Sequence, residues 1–302
     1  MTTGSRHQLR GFSLLEIAIV LAILGFVLTI GLKSTGAYMC AERRQTTVAR
    51  LAGVDAALVN FVALQKRLPC PADGASTQGA PFFWVERRDN VTGLCAIDPG
   101  PPVTPFMNRG VVPWVTLGIS EAEALDGWNN RITYRTVSVA LTGLTLTDGL
   151  KMSDCDPAGS FVVAPPAAVC NAACVAGSMA LCTRPIDFLN GRGLVVRDGF
   201  VAPTVPSGAQ IMSPGGGTGA AYVLISHGEN RGGAYSSAGV IQTGSPANSA
   251  LEDINNNNQA IQGFYMDAPQ VDAAGANHFD DIVLRPTLMS VITRAGLGSR
   301  AH

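Results

Sequence analysis

The sequence predicts an α+β chain in which a long N-terminal helix packs on a mostly antiparallel β-sheet domain. Three observations carry that expectation. No proline occurs between residues 12 and 68; the first part of this interval is apolar throughout, and the second repeats apolar residues at helical spacing. Arg67-Leu68-Pro69-Cys70-Pro71-Ala72-Asp73-Gly74 then supplies a turn-rich stop. Beyond it, short runs rich in β-branched and aromatic residues are bounded by Gly, Pro, Asn and Asp, with little helical periodicity between them.

From Phe12 to Leu32 the only charge is Glu16, and such a run makes roughly 31 Å of helix, enough to cross the hydrocarbon core of a bilayer. A carboxylate in hydrocarbon costs about 2 to 3 kcal/mol on insertion scales, so Glu16 needs a reason to be there. Arg6 and Arg10 precede the run, which favours a cytoplasmic leader and an exported remainder. A removable secretory signal fits less well, because its apolar core spans about 7 to 15 residues and ends in a small-x-small site. Here the run passes instead into Val48, Leu51, Val54, Leu58, Phe61 and Val62, with Arg50, Asp55, Asn60 and Gln65 between them. These steps of three and four describe an amphipathic helix docked on a soluble domain.

In that domain strands are expected at residues 82–87, 111–115, 131–144, 194–202, 221–226 and 281–284. Trp114 and Trp128 read as core anchors, Asp126-Gly127 and Asn129-Asn130 as turns, and Glu121 with Glu123 as a solvated face. The composition, 47% hydrophobic and 14% charged in 302 residues, describes a packed globular chain. A formal net charge of -1 with scattered basic residues gives no field for nucleic acid.

Seven cysteines occur, at 40, 70, 95, 155, 170, 174 and 182. In an exported domain thiols meet an oxidising space. Disulfides are expected over zinc, because no CxxC occurs and the CxxxC of Cys170 and Cys174 has no histidine nearby. Cys70 is expected to pair with Cys95, which leaves Cys155, Cys170, Cys174 and Cys182 with three connectivities open. Those four lie within residues 145–219, among loop-like stretches that read as an insertion.

Catalytic signatures are missing. No GxSxG, HExxH or P-loop occurs, and SPGGGTGAAYVL leads into a strand rather than a helix. Only His227 and His278 could serve a folded site, and His227 in Ser226-His227-Gly228-Glu229-Asn230 reads as part of a strand-to-turn junction. No enzyme is expected. Asp253-Ile254-Asn255-Asn256-Asn257-Asn258 alternates oxygen ligands as a calcium loop does. It is not an EF-hand, because Asn258 stands where glycine is required and Phe264 where a bidentate glutamate is required.

Gly11-Phe12-Ser13-Leu14-Leu15-Glu16 followed by an apolar run resembles the class III signal of type IV pilins and type II secretion pseudopilins. RLPCPADG, VVPWVTLGISEAEALDGWNNRITYRT, YVLISHGENRGGAY and HFDDIVLR resemble segments of large minor pilins and pseudopilin-like proteins. The resemblance implies cleavage after Gly11 by a prepilin peptidase and N-methylation of Phe12. It further implies a single pass through the bacterial inner membrane, with the C-terminal domain in the periplasm or on an extracellular filament, and assembly with other pilin or pseudopilin subunits. The organisation is then a cleaved leader at 1–11, a membrane-spanning half-helix at 12–33, an amphipathic half at 34–67 and an exported domain at 68–302.

Glu16 gains a role in this reading, since it can neutralise the α-amine of Phe12 on a neighbouring subunit, making two costly groups tolerable together. The bulk of the exported domain suits a scarce subunit near a filament tip better than a repeating shaft subunit. Major pseudopilins bind calcium in their C-terminal loops, so the resemblance also implies a calcium site drawn from Asp253, Asn255, Asn257, Asp280 and Asp281, with a solvated asparagine-rich turn as the alternative. The rival reading is a signal-anchored periplasmic binding protein or hydrolase that keeps its leader and does not assemble.

Overall fold

The computed structural model describes residues 13–80, 83–95, 110–155, 184–199, 208–244, 249–257, 263–273, 275 and 277–298, without the side chains of 27–37 and 154. The chain divides into two compact units, Met1–Arg43 and Arg44–His302. Helix α1, Leu14–Gln65, is the longest element at 52 residues. It closes ahead of the expected Leu68-Pro69 stop. Lys66 takes a φ of 59°, and its N–H donates to the Val62 carbonyl at 2.8 Å, the left-handed ending that glycine more often supplies.

Within the second unit, Leu51, Val54, Leu58 and Val62 lie on one face of α1 and are buried to 2% exposure or less. Their spacing of three and four residues puts them in one stripe. Val48, expected on that stripe, is 55% exposed. The stripe packs with Val111, Ile132, Tyr134, Tyr222 and Leu224 from the sheet and with Leu288, Val291 and Ile292 from the C-terminal helix.

The elements after α1 are short. They are β1 (Ala72–Asp73), β2 (Gly110–Val111), α2 (Trp114–Leu117), β3 (Asn130–Arg131), β4 (Thr133–Thr136), α3 (Pro185–Leu189), β5 (Val196–Arg197), β6 (Gln210–Met212), β7 (Tyr222–Ser226), β8 (Tyr235–Ser236), α4 (Glu252–Asn255), β9 (Tyr265–Met266), β10 (Ile282–Leu284) and α5 (Leu288–Arg294). The main sheet runs β1-β2-β4-β7-β10 and every pair in it is antiparallel. A three-stranded sheet, β6-β5-β9, contains one parallel pair, β5 with β9. The ribbon β3-β8 completes the set. The architecture is α+β, with the helix packed on antiparallel sheet.

Strand β7 explains why Tyr222-Val223-Leu224-Ile225-Ser226 shows no polar alternation. Tyr222 and Leu224 face the cluster around α1, whereas Val223 and Ile225 face a second one with Leu194, Val196 and Tyr265. A strand covered on both faces reads as a continuous apolar run.

Several expected strands are shorter than their sequence runs. The 111–115 run ends in α2, because Pro113 lacks the N–H a ladder needs. The 131–144 run is strand only to Thr136, and Leu141 then takes a φ of 72°. Residues 83–87 form turns, with Trp84 at a φ of 58°. Trp84 is nevertheless a fully buried anchor and Trp128 is buried at 6%, while Trp114 packs partly buried against the same core. Residues Leu150, Met152, Phe188 and Leu189 from the 145–219 stretch also belong to this core.

Cys70 and Cys95 are joined, with Cα atoms 5.3 Å apart, in agreement with the expected pair. Cys155 is also disulfide-bonded, and Cys170, Cys174 and Cys182 lie outside the described residues.

Candidate functional site

Two groups of residues stand out, one in each unit. In the first, α1 opens on Ser13. Its Oγ accepts from the Glu16 N–H at 3.2 Å, and Glu16 Oε2 accepts from the Ser13 N–H at 2.9 Å. This reciprocal pair is a capping box, and it satisfies two backbone donors that a helix start otherwise leaves open. Its sequence signal is Ser13-x-x-Glu16. Around it Leu14, Leu15, Ile17, Ile19, Val20, Leu21, Ile23, Leu24 and Phe26 are all exposed, Leu14 to 88%. An apolar surface of this kind marks a membrane or protein contact. Gly11 and Phe12 lie outside the described residues.

Among the described residues, Tyr38–Gln65 is the helix long and apolar enough to cross a membrane by length and composition, and Leu14–Phe26 is a shorter apolar stretch. Burial separates them. Leu51, Val54, Leu58 and Val62 fill the core of the second unit, whereas the side chains of Leu14–Phe26 have no such cover.

The second group is a buried polar network built from three of the sequence segments singled out above. The turn after Leu125 contributes Asp126, whose Oδ1 accepts from the N–H of Trp128 at 2.9 Å and of Asn130 at 2.8 Å, while Oδ2 accepts from the Ser226 hydroxyl at 2.7 Å. Burial pushes this carboxyl above its usual range. The same turn docks on α1: Gly127 N–H donates to Thr47 Oγ1 at 2.9 Å, and Arg50 donates to the Asp126 carbonyl at 2.8 Å.

His227 is fully buried. Its Nε2 lies 2.9 Å from Thr133 Oγ1 and 3.3 Å from Asn257 Nδ2, and its Nδ1 is 3.8 Å from Asp281 Oδ1. Burial, with Arg135 second, pushes its pKa down to about 3, so the ring is neutral at physiological pH. Gly228, next in the chain, takes a φ of 56°, and a Cβ there would stand 2.4 Å from the Asp280 carbonyl oxygen. The close approach of these two segments requires glycine.

Of the residues expected to bind calcium, the fold brings Asn255 and Asp281 into contact, while Asn257, Asp253 and Asp280 have other partners. Asn257 donates to Thr133 Oγ1 at 2.7 Å and to the Gly233 carbonyl at 2.7 Å, and its Oδ1 accepts from Arg135. Asn255 donates to Asp281 Oδ2 at 2.7 Å and to the Met266 carbonyl at 2.9 Å, and its Oδ1 accepts from the Met266 N–H at 3.0 Å. Both carboxamide oxygens are therefore engaged inside the protein. Asp253 pairs locally with Asn256 at 3.4 Å. Burial holds Asp281 well above the ordinary carboxylate range. Asp280 Oδ2 accepts from the N–H groups of Glu229 at 2.7 Å and Asn230 at 2.8 Å, beside Glu252 and His278. Glu252 stands one residue before the 253–258 run and carries no local signal for a site; the fold brings it to His278.

Chemically, the His227 network is a poor candidate for turnover. Its imidazole has 0% exposure and its Nε2 is engaged, so no substrate reaches it without opening the core. The exposed feature with chemical specificity is the start of α1. A family model described as the prokaryotic N-terminal methylation motif matches residues 6–32. No curated protein and no solved structure matches the chain. The segment that holds Gly11, Phe12 and Glu16 thus carries a prepilin-type N-terminal methylation motif.

Proposed function

We propose that this protein is a minor pilin or pseudopilin, a structural subunit of a type IV pilus or of a type II secretion-like filament. Prepilin peptidase cleaves after Gly11, Phe12 is N-methylated, and the chain sits in the bacterial inner membrane through residues 12–33. Residues 34–67 and the β-rich domain at 68–302 face the periplasm or the outside of a filament. Its chemistry is limited to being processed, and its partners are prepilin peptidase, other pilin subunits and the membrane, with no nucleic acid. The bulk of the exported domain favours a scarce subunit near an end of the filament.

One observation carries this reading. The methylation motif at 6–32 coincides with a helix start whose apolar side chains are exposed all round and whose single charge sits four residues after Phe12. A secretory leader alone needs no such carboxylate. The test is mass spectrometry of the mature N-terminus in cells with and without the peptidase. A chain starting at N-methyl Phe12 only when the peptidase is present is expected. An intact leader, or cleavage beyond the apolar run, would overturn the proposal.

A further inference from the structure

We infer that Glu252, His278 and Asp280 form a structural zinc site, which ties the start of α4 to the segment ahead of β10. The three side chains offer ligand atoms that all lie within 4.8 Å of one another. Each residue is nearly sealed from solvent, at 1%, 4% and 3% exposure respectively. A buried group of this composition has to be neutralised from within.

Distances decide how. His278 Nε2 stands 3.5 Å from Glu252 Oε1 and 3.8 Å from Asp280 Oδ2. Hydrogen bonds between such groups close to about 2.7 to 3.2 Å, so a proton shared with either carboxylate would draw the ring nearer than it is. Ligands about 2.0 to 2.1 Å from a tetrahedral zinc ion stand roughly 3.3 to 3.4 Å apart. The observed separations lie close to that edge, and small side-chain rotations complete the fit.

A second observation points the same way. Among the described residues, neither ring nitrogen of His278 has a hydrogen-bond partner. An imidazole so buried is costly without a partner, and an ion between the two carboxylates gives Nε2 one. Both carboxylates, in contrast, are already oriented from behind. Glu252 Oε2 accepts from Asn230 Nδ2 and from the Ser249 N–H, each at 3.0 Å, and Glu252 Oε1 accepts from the Asp280 N–H at 3.1 Å. Asp280 Oδ2 is fixed by the two backbone donors of the 229–230 turn. Such outer hydrogen bonds hold a ligand in place before the ion arrives.

The ligand set selects the ion. Two carboxylates match the charge of a dication, and a neutral imidazole favours zinc and similar transition ions over calcium or magnesium, which prefer oxygen alone. A fourth position remains for water. This site shares only Asp280 with the oxygen set expected from the sequence, and it does not depend on whether the chain assembles into a filament.

The test uses the full-length protein in detergent, stripped with a chelator and titrated with zinc or calcium chloride. One zinc ion per chain is expected, with a rise in melting temperature that calcium does not reproduce. His278→Gln should weaken zinc binding at least about 100-fold, the upper end of what losing an outer-shell partner costs a metal site. Cobalt substituted into the unmutated protein should give the intense visible absorption of a four-coordinate ion, a readout that does not require the variant to fold. Zinc held equally well by a folded His278→Gln variant would overturn the inference, as would calcium acting more strongly than zinc. So would the absence of any shift or cobalt spectrum in the unmutated protein.

Discussion

Glu16 and Asp55 are both carboxylates on α1 and both stand among apolar neighbours, yet their surroundings differ completely. Asp55 is 8% exposed and is met from two other elements: the Tyr222 hydroxyl of β7 donates to it at 2.5 Å, and Arg294 of α5 pairs with it at 2.7 Å. Glu16 is exposed, and among the described residues its hydrogen bonds are to Ser13 at the helix start. The chain answers the charge in its globular part by itself. In the apolar stretch the exposed side chains are left to be covered from outside, by a membrane or by another protein.

The largest expected effect breaks the comparison at Glu16. Under the filament reading, Glu16→Leu should reduce the cross-linkable assembled fraction at least tenfold, which corresponds to about 1.4 kcal/mol per contact. The melting temperature of the globular part should stay unchanged. Glu16→Gln sharpens the result, because the amide oxygen can still accept from the Ser13 N–H while the charge is gone. Loss of assembly in both variants assigns the effect to charge, whereas loss only in Glu16→Leu assigns it to the cap.

At Asp55 the expectation reverses. Asp55→Ala leaves the Tyr222 hydroxyl and Arg294 without their partner, and it should cost about 2 kcal/mol in a urea melt, less than a fully buried pair because Arg294 is part-exposed. Processing at Gly11 and Phe12 should proceed as before. A variant as stable as the parent would show that the helix is held by its apolar stripe alone.

The interior of the domain offers a third comparison, since His227 is also met within the chain, by Thr133, Asn257, Arg135 and Asp281. Its folded pKa of about 3 lies below the value of about 6.5 for an unfolded imidazole. The unfolded chain therefore binds the proton more readily. His227 contributes its full stability above about pH 6.5 and loses it as pH falls toward 3, by up to about 1.4 kcal/mol per pH unit. Asp126, Glu252 and Asp281 shift upward and act in the opposite sense, losing their contribution as pH rises. The difference between parent and His227→Gln, measured by denaturant melts across that range, isolates the histidine. A parallel pair of profiles would mean that its ring is hydrated when folded.

What could be read from the sequence follows from where the determining contacts lie. The long helix, its apolar stripe and the separation of helix from strands rest on local period and on Leu68-Pro69, and these were legible. So was the Cys70 pairing. Strand lengths were not: Pro113 cuts one run, and another leaves the ladder after Thr136 although its composition alone favours strand. The polar network was legible only as quoted segments. Asp126 meets Ser226 across 100 residues and Glu252 meets His278 across 26, and no local rule links either pair. Asp55 was placed on the polar face by its charge, although Tyr222 and Arg294 make its burial tolerable.

The smallest expected effect returns to the helix start and asks how much of Glu16's position is set by its own chain. Ser13→Ala removes the acceptor for the Glu16 N–H and so undoes one half of the capping box. Loss of a serine cap costs about 1 kcal/mol, which corresponds to roughly fivefold faster amide exchange at Glu16 in detergent micelles. Cleavage and methylation should be unaffected, because neither Gly11 nor Phe12 changes. Assembly should fall far less than in Glu16→Leu, since the carboxylate remains and only its orientation is loosened. If the two variants impair assembly equally, the work of Glu16 lies in shaping its own helix end. If Ser13→Ala assembles and Glu16→Gln does not, the charge itself is what the neighbouring subunit reads.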